Sequence, residues 1–229
     1  MRPTTISENI NFIRNQINLT CSEFNRNPKE VTLIAVSKKK PVELIIEAVN
    51  CGIIDIGENY AQELRDKNLI INNSDIRWHF IGNLQRNKVK YIAPGSFMVH
   101  TVDSISLANE LNNHSGNLGK ILQVLIQVNT SGEGTKSGVP PEDALNLATE
   151  IQGYSNIVLK GLMTIPKEHE DLEKVRPYFK MLKEIKNDIS NNLGIELPHL
   201  SMGMTQDFRV AIEEGATLIR IGTAIFSDR

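Results

Sequence analysis

The chain has 229 residues, of which 40% are hydrophobic and 23% charged, with a formal net charge of −2. That length suits one large domain or two small ones with a sizeable core, and the balanced charge excludes a global basic field for nucleic acid. Aromatic residues are 5% of the chain, no apolar run reaches membrane-spanning length, and two cysteines (Cys21, Cys51) cannot build a disulfide framework or a metal knuckle.

The opening MRPTTISENINFIRNQI lacks the apolar segment of a secretory signal, and Glu8 disfavours a transit peptide. The cysteines read as small buried hydrophobes in a reducing compartment, so a soluble cytoplasmic protein is expected. A first helix is expected from Ser7 to Phe24, within residues 5–26. Strand candidates follow at Val31 to Val36, Ile53 to Ile56, Ile76 to Ile81, Phe97 to Val102 and Ile121 to Val128. The last three are Val158 to Ile165, Leu197 to Ser201 and Leu218 to Ile221. Amphipathic segments such as Val42 to Asn50, Pro141 to Gln152 and Leu172 to Asn191 lie between them.

Boundary residues agree with this alternation. Pro41 and Pro141 sit where a first helical turn tolerates a missing donor, and Gly52, Gly194 and Gly215 where helices end. Asp103 and Thr205 are expected as helix caps. Eight alternating units in residues 31–226 predict a single (β/α)₈ barrel, which the strand count favours over a doubly wound open sheet. Little chain follows Ile221, so the N-terminal helix is expected to fill the empty place in the helical ring.

Ligands of such a barrel sit at the carboxyl ends of its strands. The first apolar run, 31–38, ends in Lys38. An amine there, beside an apolar floor, is expected to be partly desolvated and able to attack an aldehyde. The ends of the last two strands read SMGMTQDF (201–208) and RIGTAIF (220–226). Gly203 and Gly222 allow backbone to approach an anion, Ser201 and Thr223 add hydroxyls, Arg220 adds a cation, and Thr205 precedes a helix. Asp207 would compete with phosphate unless its carboxylate points away.

Other matches fail. The loop from Gly132 to Gly138 has neither the lysine placement of a nucleotide loop nor the spacing of a dinucleotide fingerprint. No nucleophile elbow occurs. The five histidines show no metal-ligand spacing, and His79 and His100 read as hydrogen-bonded residues on strands. By default Lys38, Lys39 and Lys40 form a solvated basic patch.

Seven segments occur in order: AVSKKKP (35–41), GENYAQE (57–63), WHFIGNLQRNK (78–88), KSG (136–138), GLMTIP (161–166), SMGMTQDF and RIGTAIF. From Val31 onward the chain resembles the pyridoxal phosphate homeostasis protein family, single-domain relatives of the alanine racemase barrel. The resemblance implies a fold-type III barrel for pyridoxal 5′-phosphate (PLP) without the C-terminal β domain. Lys38 would form the Schiff base, while Ser201, Gly203, Gly222 and Thr223 match the phosphate-binding stretches. Arg220 would lie near the pyridine nitrogen, and Asn59, His79 and Met163 would line the pocket. Lys39 stands where the family often has threonine, and strand alternation is expected to turn it away. The final FSDR departs from the family, Ser227 replacing a common glycine.

A carrier or buffer of PLP without dedicated turnover is expected. An arginine at the ring nitrogen weakens the electron sink, and no tyrosine sits in the context of the racemase's second base. The expected partners are PLP and PLP-dependent apoenzymes, the expected state a monomer. Two alternatives remain open: a PLP-dependent amino-acid racemase or lyase acting at Cα, and a barrel enzyme acting on a phosphorylated metabolite.

Overall fold

The computed structural model describes residues 5–134, 137–167 and 169–227. Lys136 of the KSG segment, and the last two residues of FSDR, lie outside the described residues. Eight parallel strands close in sequence order. They are β1 (Thr32–Val36), β2 (Asp55–Glu58), β3 (Arg77–Phe80), β4 (Ser96–Val102), β5 (Leu122–Gln127), β6 (Ile157–Met163), β7 (His199–Ser201) and β8 (Leu218–Ile221). Closure is visible at β1, where Ala35 stands opposite Ile56 of β2 on one side and Ile221 of β8 on the other.

All eight strands are where the sequence puts them, because a strand covered on both faces reads as an apolar run. Their ends differ where polar residues are buried. The second strand is offset from Ile53–Ile56 to Asp55–Glu58, because both of its acids are buried and paired.

Helices α1 (Ile6–Glu23), α2 (Val42–Asn50), α3 (Ala61–Ile71), α4 (Val89–Ile92) and α5 (Ile105–Asn117) surround the first half of the barrel. The second half carries α6 (Ala144–Gln152), α7 (Arg176–Leu193), α8 (Phe208–Glu213) and α9 (Thr223–Phe226). Short 3₁₀ turns at Pro141–Asp143 and Leu172–Lys174 precede α6 and α7, so the two long amphipathic segments are each interrupted near their start. Asp103 is not a cap; the hydroxyl of Ser104 accepts from the Leu107 amide instead. Nor does Thr205 cap a helix, since α8 begins only at Phe208.

Helix α1 completes the ring between α8 and α2, as expected, and it also packs on α9. Asn9 donates from Nδ2 to the Ile225 carbonyl at 2.9 Å. Its N-terminus is closed by a capping box in which Thr5 and Glu8 exchange hydrogen bonds. The main core lies between strands and helices, with Trp78, Phe80 and Phe179 among its largest fully buried side chains. A smaller apolar cluster of Ile34, Met98, Leu125, Met163 and Leu218 forms a separate part of the core.

Candidate cofactor site at the barrel mouth

Strand β1 stops at Val36, as expected, and Ser37 to Lys40 form a turn. The Lys40 amide donates to the Ser37 carbonyl at 3.0 Å, and Lys39 adopts φ 59°. Lys39 is therefore turned away by a left-handed turn and not by strand alternation. Lys38 stands on the rim with an exposed side chain; the cavity it borders has apolar Val36, Ile81 and Ile165 in its lining, as expected, but the amine is not buried among them.

The turn is held from beneath by a residue that the sequence reading missed. Lys67 of α3 is buried, and its Nζ donates to Glu58 Oε1 at 2.6 Å, Glu63 Oε2 at 2.7 Å and the Ser37 carbonyl at 2.8 Å. Ser37 Oγ donates to the same Glu58 oxygen at 2.7 Å, and Glu63 Oε2 accepts the Lys39 amide at 2.9 Å. Burial pushes the Glu58 carboxyl up, and Glu63 nearby adds to this, although hydrogen bonds from Lys67 and Ser37 oppose the rise. The three lysines of the run thus have separate fates. Lys40 Nζ donates to the Ser227 carbonyl, Lys39 is fixed by its backbone, and Lys38 has no hydrogen-bond or ion-pair partner among the described residues. The interaction with Lys40 closes on Ser227 at φ 56°, a backbone region that glycine enters without steric cost.

Lys38 opens into a cavity of about 500 Å³ together with Val36, Asn59, Arg220, Gly222 and Thr223. That volume is within the usual range of small-molecule sites. Five of the nine residues proposed for PLP therefore meet in one space: Lys38, Asn59, Arg220, Gly222 and Thr223. The hydroxyls of Thr223 and Thr205 lie 3.2 Å apart on its wall. Asp207 also borders the cavity, but one carboxylate oxygen accepts the Met204 amide at 2.6 Å.

The other four are not on the cavity wall. Met163 belongs to the small apolar cluster. Gly203 is required by packing: at φ +93° a Cβ there would stand 2.6 Å from Ala211 Cβ and 3.0 Å from Phe208 Cα. His79 and Ser201 are buried and bond to His100 from opposite sides, both at 2.9 Å. Arg220 donates from Nη1 to Ser201 Oγ at 2.6 Å and from Nη2 to the Thr164 carbonyl at 3.0 Å.

Burial pushes both His79 and His100 below the ordinary imidazole value of 6.5, His100 the further because His79, Arg220 and His199 are close to it. Each histidine binds its proton more weakly folded than unfolded. The stability this implies is complete above pH 6.5 and is lost as pH falls from there toward the folded values. Unfolding free energy is expected to fall by about 1.4 kcal/mol per pH unit for each histidine in that window. Denaturant titrations between pH 7 and 4.5 measure this, and a His100→Asn protein with an unchanged slope would contradict it.

His169 is a second residue the sequence reading passed over. It borders the cavity, stacks on Tyr178 with ring centroids 6.1 Å apart, and keeps a buried Nε2 without a partner. No spacing signal points to it, since it lies on the loop after β6. Asn59 Oδ1 is likewise buried and unpaired at the cavity. An orphaned acceptor, an unpaired amine and a buried guanidinium facing one space fit a ligand that brings a carbonyl, polar ring atoms and an anionic tail. The residues present are thus compatible with PLP.

A closed eight-stranded parallel barrel with a cavity at the carboxyl ends of its strands defines a (β/α)₈ barrel. The family described as alanine racemase, N-terminal domain, matches residues 9–229, and the chain belongs to it, among the pyridoxal phosphate homeostasis proteins. Proteins of that name from Aquifex aeolicus and Vibrio alginolyticus are 41% and 43% identical, over 97% and 99% of this chain and 97% and 98% of their own. PipY of Synechococcus elongatus, solved with PLP bound, is 30% identical with a TM-score of 0.81, covering 92% of this chain and 99% of PipY. Alanine racemase of Clostridium difficile shares the fold, with a TM-score of 0.72 at 15% identity, over 95% of this chain and 56% of the racemase. Among the described residues no helix is long and apolar enough to cross a membrane.

Proposed function

We propose that the chain is one PLP-binding barrel that holds the cofactor as a Schiff base on Lys38 and serves intracellular PLP homeostasis as a carrier or buffer. The observation that carries this reading is the Lys38 amine, without a partner among the described residues, opening into the same cavity as Arg220, Gly222 and Thr223. The family and the PLP-bound relative support the choice of ligand.

Bound PLP supplies an aldehyde that an amine holds reversibly, and a ring that can act as an electron sink. Thr223, Thr205 and Gly222 would receive the phosphate end. Arg220 would lie near the ring nitrogen. Burial lowers its guanidinium to about 10, with Asp207 opposing the fall, so it stays charged at neutral pH and disfavours a proton on that nitrogen. The sink is then weak, which suits storage and release better than turnover. Lys38 is exposed at the rim, where water and acceptor proteins reach it. The expected partners are PLP-dependent apoenzymes, and the expected state is a cytoplasmic monomer.

One observation favours the runner-up, an amino-acid racemase or lyase: the unpaired Nε2 of His169 at the cavity is a candidate acid or base. Borohydride treatment of the PLP-loaded protein, followed by peptide mass spectrometry, is expected to fix one pyridoxyl phosphate on Lys38. Lys38→Ala is expected to lose the label and the yellow colour entirely, with an unchanged melting temperature. A colourless, unlabelled wild type would end the proposal. D-isomer formed from L-amino acids in a Lys38-dependent way would replace the carrier by the enzyme.

A further inference from the structure

A string of buried polar side chains crosses the barrel interior under the cavity, and its two ends differ in kind. Arg220 can only donate hydrogen bonds, and an ionised Asp55 can only accept them. Four contacts join them: Arg220 Nη1 to Ser201 Oγ at 2.6 Å, Ser201 Oγ to His100 Nδ1 at 2.9 Å, His100 Nε2 to His79 Nδ1 at 2.9 Å, and His79 Nε2 to Asp55 Oδ1 at 2.8 Å.

With neutral rings, these ends leave a single arrangement of protons. Asp55 requires a proton on His79 Nε2, which makes His79 Nδ1 an acceptor. His100 must then donate from Nε2 and accept at Nδ1 from the Ser201 hydroxyl, whose oxygen is left to accept from Arg220. Every ring nitrogen is satisfied, and all four bonds run the same way, from the guanidinium toward the carboxylate. Aligned bonds of this kind polarise one another. Reversing any link would put two donors or two acceptors face to face.

We infer that Asp55 is a remote positioning residue for the cofactor. Through His79, His100 and Ser201 it fixes the orientation of the Arg220 guanidinium offered to the ring nitrogen. The inference rests on the assignment of PLP to this cavity. Asp55 opens β2, at the opposite end of the barrel from the Lys38 turn, and no part of it borders the cavity.

The surrounding groups agree with this direction. Burial alone would push the Asp55 carboxyl up, but hydrogen bonds from His79 and Arg77 outweigh it and hold the group below its ordinary value. Arg77 Nη2 donates to the second Asp55 oxygen at 2.5 Å, so the string ends on an anion that is itself paired. The charged and titratable groups that act on the two rings are Asp55, Arg77, Arg220 and His199. Both imidazoles are driven toward the neutral form that the string requires. A bland alternative is that the string only fills the barrel. In that case the ring tautomers and the cofactor spectrum have no reason to depend on Asp55.

Long-range ¹H–¹⁵N spectra of histidine-labelled protein decide the first half without cofactor. His79 and His100 are expected as neutral Nε2–H tautomers from pH 6.5 to 8; an Nδ1–H tautomer or a cation at either ring overturns the inference. Asp55→Asn keeps a carbonyl acceptor and is expected to keep both tautomers, but it removes the charge that polarises the string and so loosens the hold on Arg220, whereas Asp55→Ala is expected to mix the tautomers. The wild-type spectrum is decisive even where Asp55→Ala does not fold. In PLP-loaded protein, the pH midpoint of the Lys38 chromophore is expected to shift by about half a unit in Asp55→Asn, a threefold change in the proton equilibrium. The exposed control Asp75→Asn is expected to leave it in place. A shift absent in Asp55→Asn, or equal in both variants, overturns the positioning role while PLP binding stands. Failure of Lys38 to take up PLP would instead remove the ligand assignment and the positioning role with it, the tautomers still reporting whether the string is ordered.

Discussion

Replacing Lys67 with methionine is expected to destabilise the protein by about 3–5 kcal/mol, because it leaves a buried carboxylate without its cation. Glu58 is fully buried, and Lys67 is the cation that contacts it. Much of the effect is the cost of an unpaired Glu58, not the net worth of the pair. Lys67→Met combined with Glu58→Leu is therefore expected to recover most of the loss. Labelling should not recover with it. Lys67 also holds the Ser37 carbonyl and Glu63, and Glu63 holds the Lys39 amide, so the turn that presents Lys38 is slack in both variants. Urea titration measures the first effect, and borohydride-fixed pyridoxyl phosphate at Lys38 the second. A single variant that loses less than about 1 kcal/mol, as exposed pairs do, would show that the buried cluster is not the anchor of the turn.

The second large effect is expected at Gly82, just beyond β3. A Cβ at Gly82 would stand 2.0 Å from the Asn59 carbonyl oxygen and 2.7 Å from its Cα, so the clash is with backbone that cannot rotate aside. Overpacking of this kind costs about 1–3 kcal/mol or more. Relief requires Asn59 to move, and Asn59 brings its unpaired amide oxygen to the cavity. Gly82→Ala is thus expected to lower stability and to weaken PLP uptake at least tenfold by fluorescence titration. Gly134→Ala, where an added Cβ meets nothing within 4 Å, serves as the control. Equal PLP affinity in the two variants would remove Asn59 from the site.

The barrel was readable because each strand is covered on both faces and so appears as an unbroken apolar run, while glycines such as Gly194 at φ 62° stop the helices. The strand ends were less readable. Asp55 and Glu58 look like loop residues until Arg77, His79 and Lys67 are known to meet them. The same reasoning applies to the site. Lys38, Arg220, Gly222 and Thr223 sit at strand ends, where position alone marks them. His79 and Ser201 are separated in sequence from the partners that define them, His100 and Arg220. No periodicity links such residues, so pocket lining and buried wiring cannot be told apart before the fold is seen. Lys67 had one local signal, its spacing of four from Glu63, which is the ordinary pattern of an exposed helical ion pair and hides the buried contact to Glu58.

The ring of strands is sealed by its first and last members, Thr32 of β1 lying beside Leu218 of β8. During synthesis β1 must wait with one edge unsatisfied until β8 has left the ribosome, a contact order that slows folding and exposes a sticky edge. Lys38 follows the first of these strands, and Arg220 of β8, with Gly222 and Thr223 just beyond it, lines the same cavity. The cavity that Lys38 shares with Arg220 therefore exists only once the ring has closed: completion of the fold and assembly of the pocket are one event.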